Sequence, residues 1–482
     1  MRACVRTIFG LVSLVGSVSV ASAATRHVRV NGDDACDGIT CAKRTIQSAV
    51  SAAQPGDEIR IHEGTFIENV IVGKPLALRG AGQDRTTILP AFSDPDPCSD
   101  ASVCDDFSNV ILIQSGGVSV SSLTIDGDNP QLTGGIDIGG ANVDARNGII
   151  DDRRLGVPFD DLHVSHVTVK NVYLRGIQFG ADGLRTLVDH CTVTNVAGYW
   201  GSKCIVKFGG KGDIVQNWMA DSYEGIAIAN SQGTRVLNNY VTRSAYGMET
   251  DWNGDTEGEV DRGESHPDLF EGNTVTDCVQ DNFGIQVWVP GLPAIIRGNY
   301  VRNCLVPLSV IGSDKPEVGP SQFINNTVVG NGAVGSIGIL VSSQTGYPDN
   351  SDVAASFSGN RLYNFETGVA IQANDKTATA TISDGVIANS VIGIDNGGTL
   401  ALGSTCVYRS GTALLVQESG TLVAHQNDIV DSALSVKNLN LSTKVNARLN
   451  WWGSRFGPDP AKIVGSVATR PFLLNPVACG RR

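Results

Sequence analysis

Between Gln216 and Ala373 one short phrase recurs, clearest in NWMADSYEGIAIA (residues 217–229) and NYVTRSAYGMETD (residues 239–251). Asn217, Asn239, Asn273, Asn299, Asn326 and Asn360 each stand two residues before an apolar side chain: Met219, Val241, Val275, Val301, Val328 and Leu362. A glycine-led strand usually follows, as in Gly225-Ile226-Ala227-Ile228, Gly247-Met248-Glu249-Thr250, Gly284-Ile285-Gln286-Val287 and Gly368-Val369-Ala370-Ile371. The asparagines are spaced by 22, 34, 26, 27 and 34 residues. A basal period with insertions signals a solenoid, whose units are too small to bury a face alone and must stack. The units alternate as short strands do and lack the longer 3.6-period runs of helical repeats.

About 22 residues divided into three short strands make one turn of a single-stranded, right-handed parallel β-helix. The recurrent asparagine then occupies the same corner of every coil. Its amide reaches the next one across the strand spacing of about 4.8 Å, which gives the row a structural role.

The full chain has 482 residues, 56 of them glycine, and few aromatics, which suits many tight turns around a narrow aliphatic core. MRACVR opens it, an apolar run covers Ile8 to Val20, and Ala21-Ser22-Ala23 precedes Ala24. That pattern predicts a secretory signal over residues 1–23 and a secreted or periplasmic product. The run is short for a bilayer span, and no later stretch predicts a transmembrane segment. Losing Arg2 and Arg6 moves the formal charge from −13 to −15, which argues against nucleic acid as a partner. A monomer with a polysaccharide partner is expected.

Ten of the eleven cysteines remain after Cys4 is removed, an even number that suits an exported protein. Cys278 and Cys304 each lie five residues after a repeat asparagine, so stacking brings them into bonding range. Short spacing pairs Cys36 with Cys41 and Cys98 with Cys104; elimination leaves Cys191–Cys204 and Cys406–Cys479. No paired C-x-x-C favours zinc instead.

In chain order, Ile46, Ala49, Val50 and Ala53 form one helical stripe over Thr45–Gln54, stopped by Pro55-Gly56-Asp57. Such a helix would cover the open end of the solenoid, where backbone groups are unpaired. The stretch TIQSAVSAAQPGDEIRIHEGTFIENVIVGKPLALRGAG (residues 45–82) resembles the opening of bacterial right-handed parallel β-helix proteins of the pectin lyase-like superfamily. NARLNWWGSRFGPDP (residues 446–460) resembles a closing segment of the same proteins. The organisation read this way is a cap and first coils over 24–90, early coils with long loop insertions over 91–162, regular coils over 163–445 and a closing segment over 446–482. Residues 91–110 and 127–161 read as charged loops. Trp451 and Trp452 are placed as a plug for the far end of the core.

The candidate site comes from aligning third strands by their apolar pairs, Ile177/Phe179, Val206/Phe208, Ile226/Ile228, Met248/Thr250 and Ile285/Val287. Residues between the pairs then point outward. This puts Gln178, Lys207, Glu249 and Gln286 in one external column and Asp251 and Trp288 in the next, with Lys207 about 10 Å from Glu249. Trp200, Trp252 and Trp288 supply flat walls for sugar rings. In this reading Lys207, Glu249 and Asp251 are catalytic, and Gln178, Trp200, Trp252, Gln286 and Trp288 bind substrate. Asp251, Asn253, Asp255 and Glu257 recur every second residue like the oxygen ligands of a calcium loop, although Thr256 and Arg262 replace that loop's glycine and glutamate.

The resemblance implies lyase or epimerase chemistry on an acidic, uronate glycan; in the register read here Lys207 would be the base and calcium at Asp251 and Asp255 the neutraliser. The arginine-proline-arginine motif of pectate lyases is missing, and VDHCTVTN (residues 188–195) resembles their strand only faintly. A glycoside hydrolase using Glu249 and Asp251 is the alternative, though the Gly-His-Gly and Arg-x-Lys of polygalacturonases are also missing. A non-catalytic glycan-binding or surface protein is the third reading. His163, His166 and His190 read as exposed or corner side chains, with metal ligation the lesser alternative.

Overall fold

The computed structural model describes residues 23–95, 108–180, 182–198, 201–254, 262–279, 282–313, 319–343 and 351–477. The segment read as a signal peptide therefore lies outside the described residues, apart from its last position.

The first coil is closed by the helix Ile46–Ala52. Thr45 caps it, its hydroxyl accepting from the Ser48 N–H at 3.3 Å, and Ile46, Ala49 and Val50 turn into the core. From there the chain winds as parallel strands, each paired with its counterpart one coil on, apart from the antiparallel hairpin of Ile136–Ile138 and Ala141–Val143. Gly212–Val215 pairs with Thr234–Leu237, and the long bent strand Trp218–Ala229 pairs with Tyr240–Asp251. Met219 lies over Val241, and Ile226 over Met248.

Three inward columns make the core. One runs Ile177, Ile205, Ile226, Met248, Ile285 and Leu308, every member 1% exposed or less. The second runs Val193, Met219, Val241, Val275, Val301 and Val328; the third includes Ile214, Val236, Phe270, Ile296, Phe323 and Phe357. Burying each such side chain contributes roughly 1.5–3 kcal/mol before chain entropy is counted. Glycine marks the bend inside the long strands. A Cβ at Gly225 would come within 2.4 Å of Val241 Cγ1 and 2.5 Å of the Gly247 carbonyl.

The asparagine row forms a continuous ladder. Asn217, Asn239, Asn273, Asn299 and Asn326 each donate from Nδ2 to Oδ1 of the next member at 2.9–3.1 Å. The same Oδ1 accepts the backbone N–H of the asparagine below it, for example Asn217 N to Asn239 Oδ1 at 2.9 Å. Asn427 and Asn450 repeat the arrangement near the far end. There Trp452 packs against the core, and Trp451 bridges to Asp428.

Residues 127–161, read as a loop, contain the full strand Ala145–Asp151, which pairs with Asn109–Ile113 and Val172–Phe179. The coils therefore continue through this region. Its acidic residues hid the strand, because several are buried partners rather than solvated charge; Asp144, Asp151 and Asp152 are 1% exposed or less.

Cys36–Cys41 and Cys278–Cys304 are bonded, the latter with Cα atoms 4.8 Å apart as stacking requires. Bonded cysteines fit an oxidising compartment. No helix among the described residues is long and apolar enough to cross a membrane. Cys406 is disulfide-bonded, while Cys98, Cys104 and Cys479 lie outside the described residues. The expected Cys191–Cys204 bond is not formed: both are free thiols. They occupy different corners. Cys191 stands in the asparagine row, its N–H donating to Asn217 Oδ1 at 2.9 Å. Cys204 stands at the strand bend, its thiol against the Val193 carbonyl. Burial pushes both thiols up to about 12, so they behave as small apolar groups.

Replacing Cys278 and Cys304 together by serine frees a 26-residue loop in the unfolded chain. The loop-closure relation gives an expected loss of ~3.5 kcal/mol in unfolding free energy, read from denaturant midpoints.

Candidate functional site

The outward side of the third-strand wall carries a groove of about 470 Å³, lined by Lys203, Tyr223, Glu224, Tyr246, Glu249, Asp251, Phe283, Gln286 and Trp288, among others. The observed register explains this set. Arg175, Lys203, Glu224, Tyr246 and Phe283 align in one column, immediately before the bend residues Gly176, Cys204, Gly225, Gly247 and Gly284. Gln178, Val206, Ala227, Glu249 and Gln286 form a second column. Phe208, Ala229, Asp251 and Trp288 form a third.

Lys207 belongs to none of these. It aligns with Phe179, Ile228, Thr250 and Val287 and points into the coil, 2% exposed. The expectation that it faces Glu249 across the outer wall is thus corrected by one residue of register, and a one-residue slip moves a side chain to the opposite face. Inside, its ammonium donates to the carbonyls of Phe208, at 3.2 Å, and Gly209. Burial pushes it down to about 8 against the attraction of Asp151, Asp182 and Asp268. Asp268 is itself held by Ser231 Oγ, the Thr234 N–H and Thr250 Oγ1 at 2.7–2.8 Å.

The cation of the groove is Lys203, ion-paired with Glu224 one coil on. Burial pushes Lys203 down to about 8, opposed by attraction to Glu249 and Asp251 and assisted by repulsion from Arg175. Glu249 is 9% exposed, and burial raises it above the ordinary carboxylate value; Lys203 and a 3.4 Å hydrogen bond from Gln286 pull the other way. Asp251 is raised well above its ordinary value by burial and then by the Glu249 charge two residues away. The groove thus sets two carboxyls, both raised by burial, beside a lysine–glutamate pair. Its walls are aromatic. Tyr246 and Phe283 stack at 5.1 Å, Tyr223 tilts against Tyr246 at 5.5 Å, and Trp288 meets Trp252 at 4.8 Å. Rings set this way offer flat faces to sugar C–H surfaces.

Of the residues chosen from sequence, Glu249, Asp251, Gln286 and Trp288 line the groove, with Trp252 against Trp288. Gln178 shares the Glu249 column but is fully buried, so it does not meet an open substrate site. Trp200, Asp255 and Glu257 lie outside the described residues. Asn253 follows the turn at Trp252, where φ is +43°, and is fully buried, its amide without a hydrogen-bond partner among the described residues. Lys203, Glu224, Tyr223, Tyr246 and Phe283 were missed. The available signal was the residue before each bend glycine, with Cys204 standing in for glycine.

Residues 175–353 match a family model described as the right handed beta helix region. The chain is a right-handed parallel β-helix. Among solved structures, the mannuronan C-5 epimerase AlgE6 A-module of Azotobacter vinelandii shares 16% identity, with 88% of this chain and 94% of that one covered and a TM-score of 0.45. An alginate lyase from a Paenibacillus species shares 14%, covering 71% and 99%, at 0.41. The surface adhesin PfbA of Streptococcus pneumoniae shares 14%, covering 70% and 84%, at 0.47. The activities in these names belong to those proteins. A search of curated proteins finds no match to this β-helix.

Proposed function

We propose that the outer groove binds a polysaccharide and cleaves its glycosidic bonds by carboxyl acid–base chemistry. The observation that carries this reading is the convergence of Glu249 and Asp251, both raised by burial, with the Lys203–Glu224 pair in an aromatic trough. A carboxyl that keeps its proton near neutrality can protonate a leaving-group oxygen, and a second, ion-paired carboxylate can activate water. Glu249 is the acid and Glu224 the base. Asp251, also raised by burial, stands two residues from Glu249, and Trp288 and Phe283 seat the sugar rings. The test is a glycan panel scored for new reducing ends. Release of reducing ends without ultraviolet absorbance from an unsaturated uronate supports hydrolysis. Retention on immobilised glycan with no product would leave a binding protein instead.

One observation favours a second reading, lyase or epimerase action on a uronate glycan. Lys203, pushed down to about 8, is poised to take a proton alpha to a carboxylate in the role first given to Lys207. In this reading calcium would be held by Asp251 and Asn253, together with Asp255 and Glu257, and would supply positive charge to the uronate carboxylate. The donor set fits a hard cation in part: Asp251 Oδ1 and the Asn253 amide oxygen are buried oxygens lacking a partner among the described residues. Unsaturated product marks the lyase, and a melting temperature unchanged by EDTA removes calcium.

Lys203 also gives a directional prediction for hydrolysis. Its charge pulls Glu249 down from where burial alone would place it. Lys203→Met should therefore move the alkaline limb of the rate–pH profile to higher pH, because the acid keeps its proton longer. A limb that stays in place or moves down would separate Glu249 from the rate-controlling acid.

A further inference from the structure

The corner between the first and second strand walls holds a cluster unconnected with the groove. His166 and His190 occupy successive turns of one corner, with φ +52° at both. Their rings stack at 4.8 Å with planes 7° apart. Asp189 lies beside them, and its two oxygens are divided: Oδ2 accepts from His190 Nδ1 at 2.6 Å, and Oδ1 accepts from His163 Nε2 at 2.6 Å. One donor atom each from His166, Asp189 and His190 lies within 4.8 Å of the others. The fold does not call for imidazole here. The left-handed corner position is filled by Ser122 before the pair and by Gln216, Asn238 and Asn325 after it, all with φ of +54° to +57°. The His166 ring has no hydrogen-bond partner among the described residues.

We propose that His166, His190 and Asp189 form a site for a borderline divalent transition ion such as zinc, clipping two coils together. Imidazole and carboxylate suit such an ion, with bonds of about 2.0–2.2 Å. Tetrahedral ligand atoms at that radius sit roughly 3.3 Å apart. The separations present, from 2.6 Å to within 4.8 Å, bracket that figure, so ring rotation at an exposed corner suffices. Coordination through His190 Nδ1 places the ring's proton on Nε2 and the ion against Asp189 Oδ2 where the Nδ1–H now points, so both rings bind in their neutral form and acid competes with the ion. His163 keeps its hold on the other Asp189 oxygen and orients the carboxylate from behind. The ligands on the ion are two neutral nitrogens and one carboxylate, with solvent completing the coordination.

The test is calorimetric titration of the full chain with zinc ions alone, and with cobalt ions read by their visible absorption. One equivalent should bind, and the melting temperature should rise with zinc, since only the folded chain assembles the set. His166→Asn and His190→Asn place at the corner a residue that the same corner accepts at Asn238 and Asn325, so both variants should fold. Each should weaken zinc by more than tenfold. His163→Gln, which touches only the orienting contact, should cost about tenfold. Absence of binding to the intact chain overturns the site. So does binding that survives His166→Asn and His190→Asn but is lost in His62→Asn, which would place the ion at the His27–His62 pair, 2.9 Å apart in the first coils.

Discussion

Replacing Asn273 by alanine should cost about 4 kcal/mol of unfolding free energy. Its Oδ1 accepts the Asn239 N–H at 2.9 Å, and its Nδ2 donates to the Val236 carbonyl at 2.8 Å. Alanine leaves both backbone groups without those partners in a corner where Asn239 and Asn273 are 1% exposed or less. Each buried group left unpaired costs roughly 1–3 kcal/mol, and the vacated volume adds to that. Asn299 keeps its own bonds to Phe270 and Asn326, so the damage is centred on one rung. A solenoid couples mainly nearest neighbours, so amide exchange should quicken first at Asn239 and the coils on either side. The neighbouring Thr274→Ala, at a part-exposed position, is the control and should shift the denaturant midpoint little. A loss below 1 kcal/mol for Asn273→Ala, with exchange unchanged at Asn239, would reduce the ladder to a by-product of the coil.

That ladder was legible because its cause is local. An asparagine two residues before an apolar side chain can be counted along the chain, and the count also carried the Cys278–Cys304 bond. The candidate site depended on something finer. Around Lys207, alternation alone assigns Val206 and Phe208 inward and the lysine outward, since burying an ammonium is costly. The acids that offset this cost, Asp151, Asp182 and Asp268, come from other coils and cannot be read from the lysine's own strand. The bend at Cys204 settles the register, but cysteine there does not announce itself as glycine does. Glu249 and Asp251 face outward as read because Gly247-Met248 fixed their strand; Lys203 was missed with the bend at Cys204, and Glu224 was missed although Gly225 marks its bend. The paired thiols failed for a different reason: an even cysteine count fixes no partner, and Cys191 and Cys204 serve the core singly.

Glu249→Gln should lower the rate of glycan cleavage by about 10²–10⁴-fold, the usual contribution of a general acid. The amide keeps the size of the carboxyl and can still meet Gln286, so the trough of Tyr246, Phe283 and Trp288 should hold substrate with little change in KM. Stability supplies a second readout, of the protonation of Glu249 in the folded chain. Burial raises Glu249 above its ordinary value of 4.5, so the folded chain holds this proton more tightly than the unfolded chain does. The favourable contribution is complete below the unfolded value and is lost as pH rises through the folded one. Glutamine does not titrate, so the variant should gain stability relative to the parent as pH rises through that window, while its activity stays low throughout. Asp251→Asn should show the same sign, because burial and the Glu249 charge raise that carboxyl as well. If Glu249→Gln cleaves glycan at the parental rate, the proton donor lies elsewhere in the groove. If its relative stability instead falls with rising pH, Glu249 is ionised in the folded chain and the acid role fails with it.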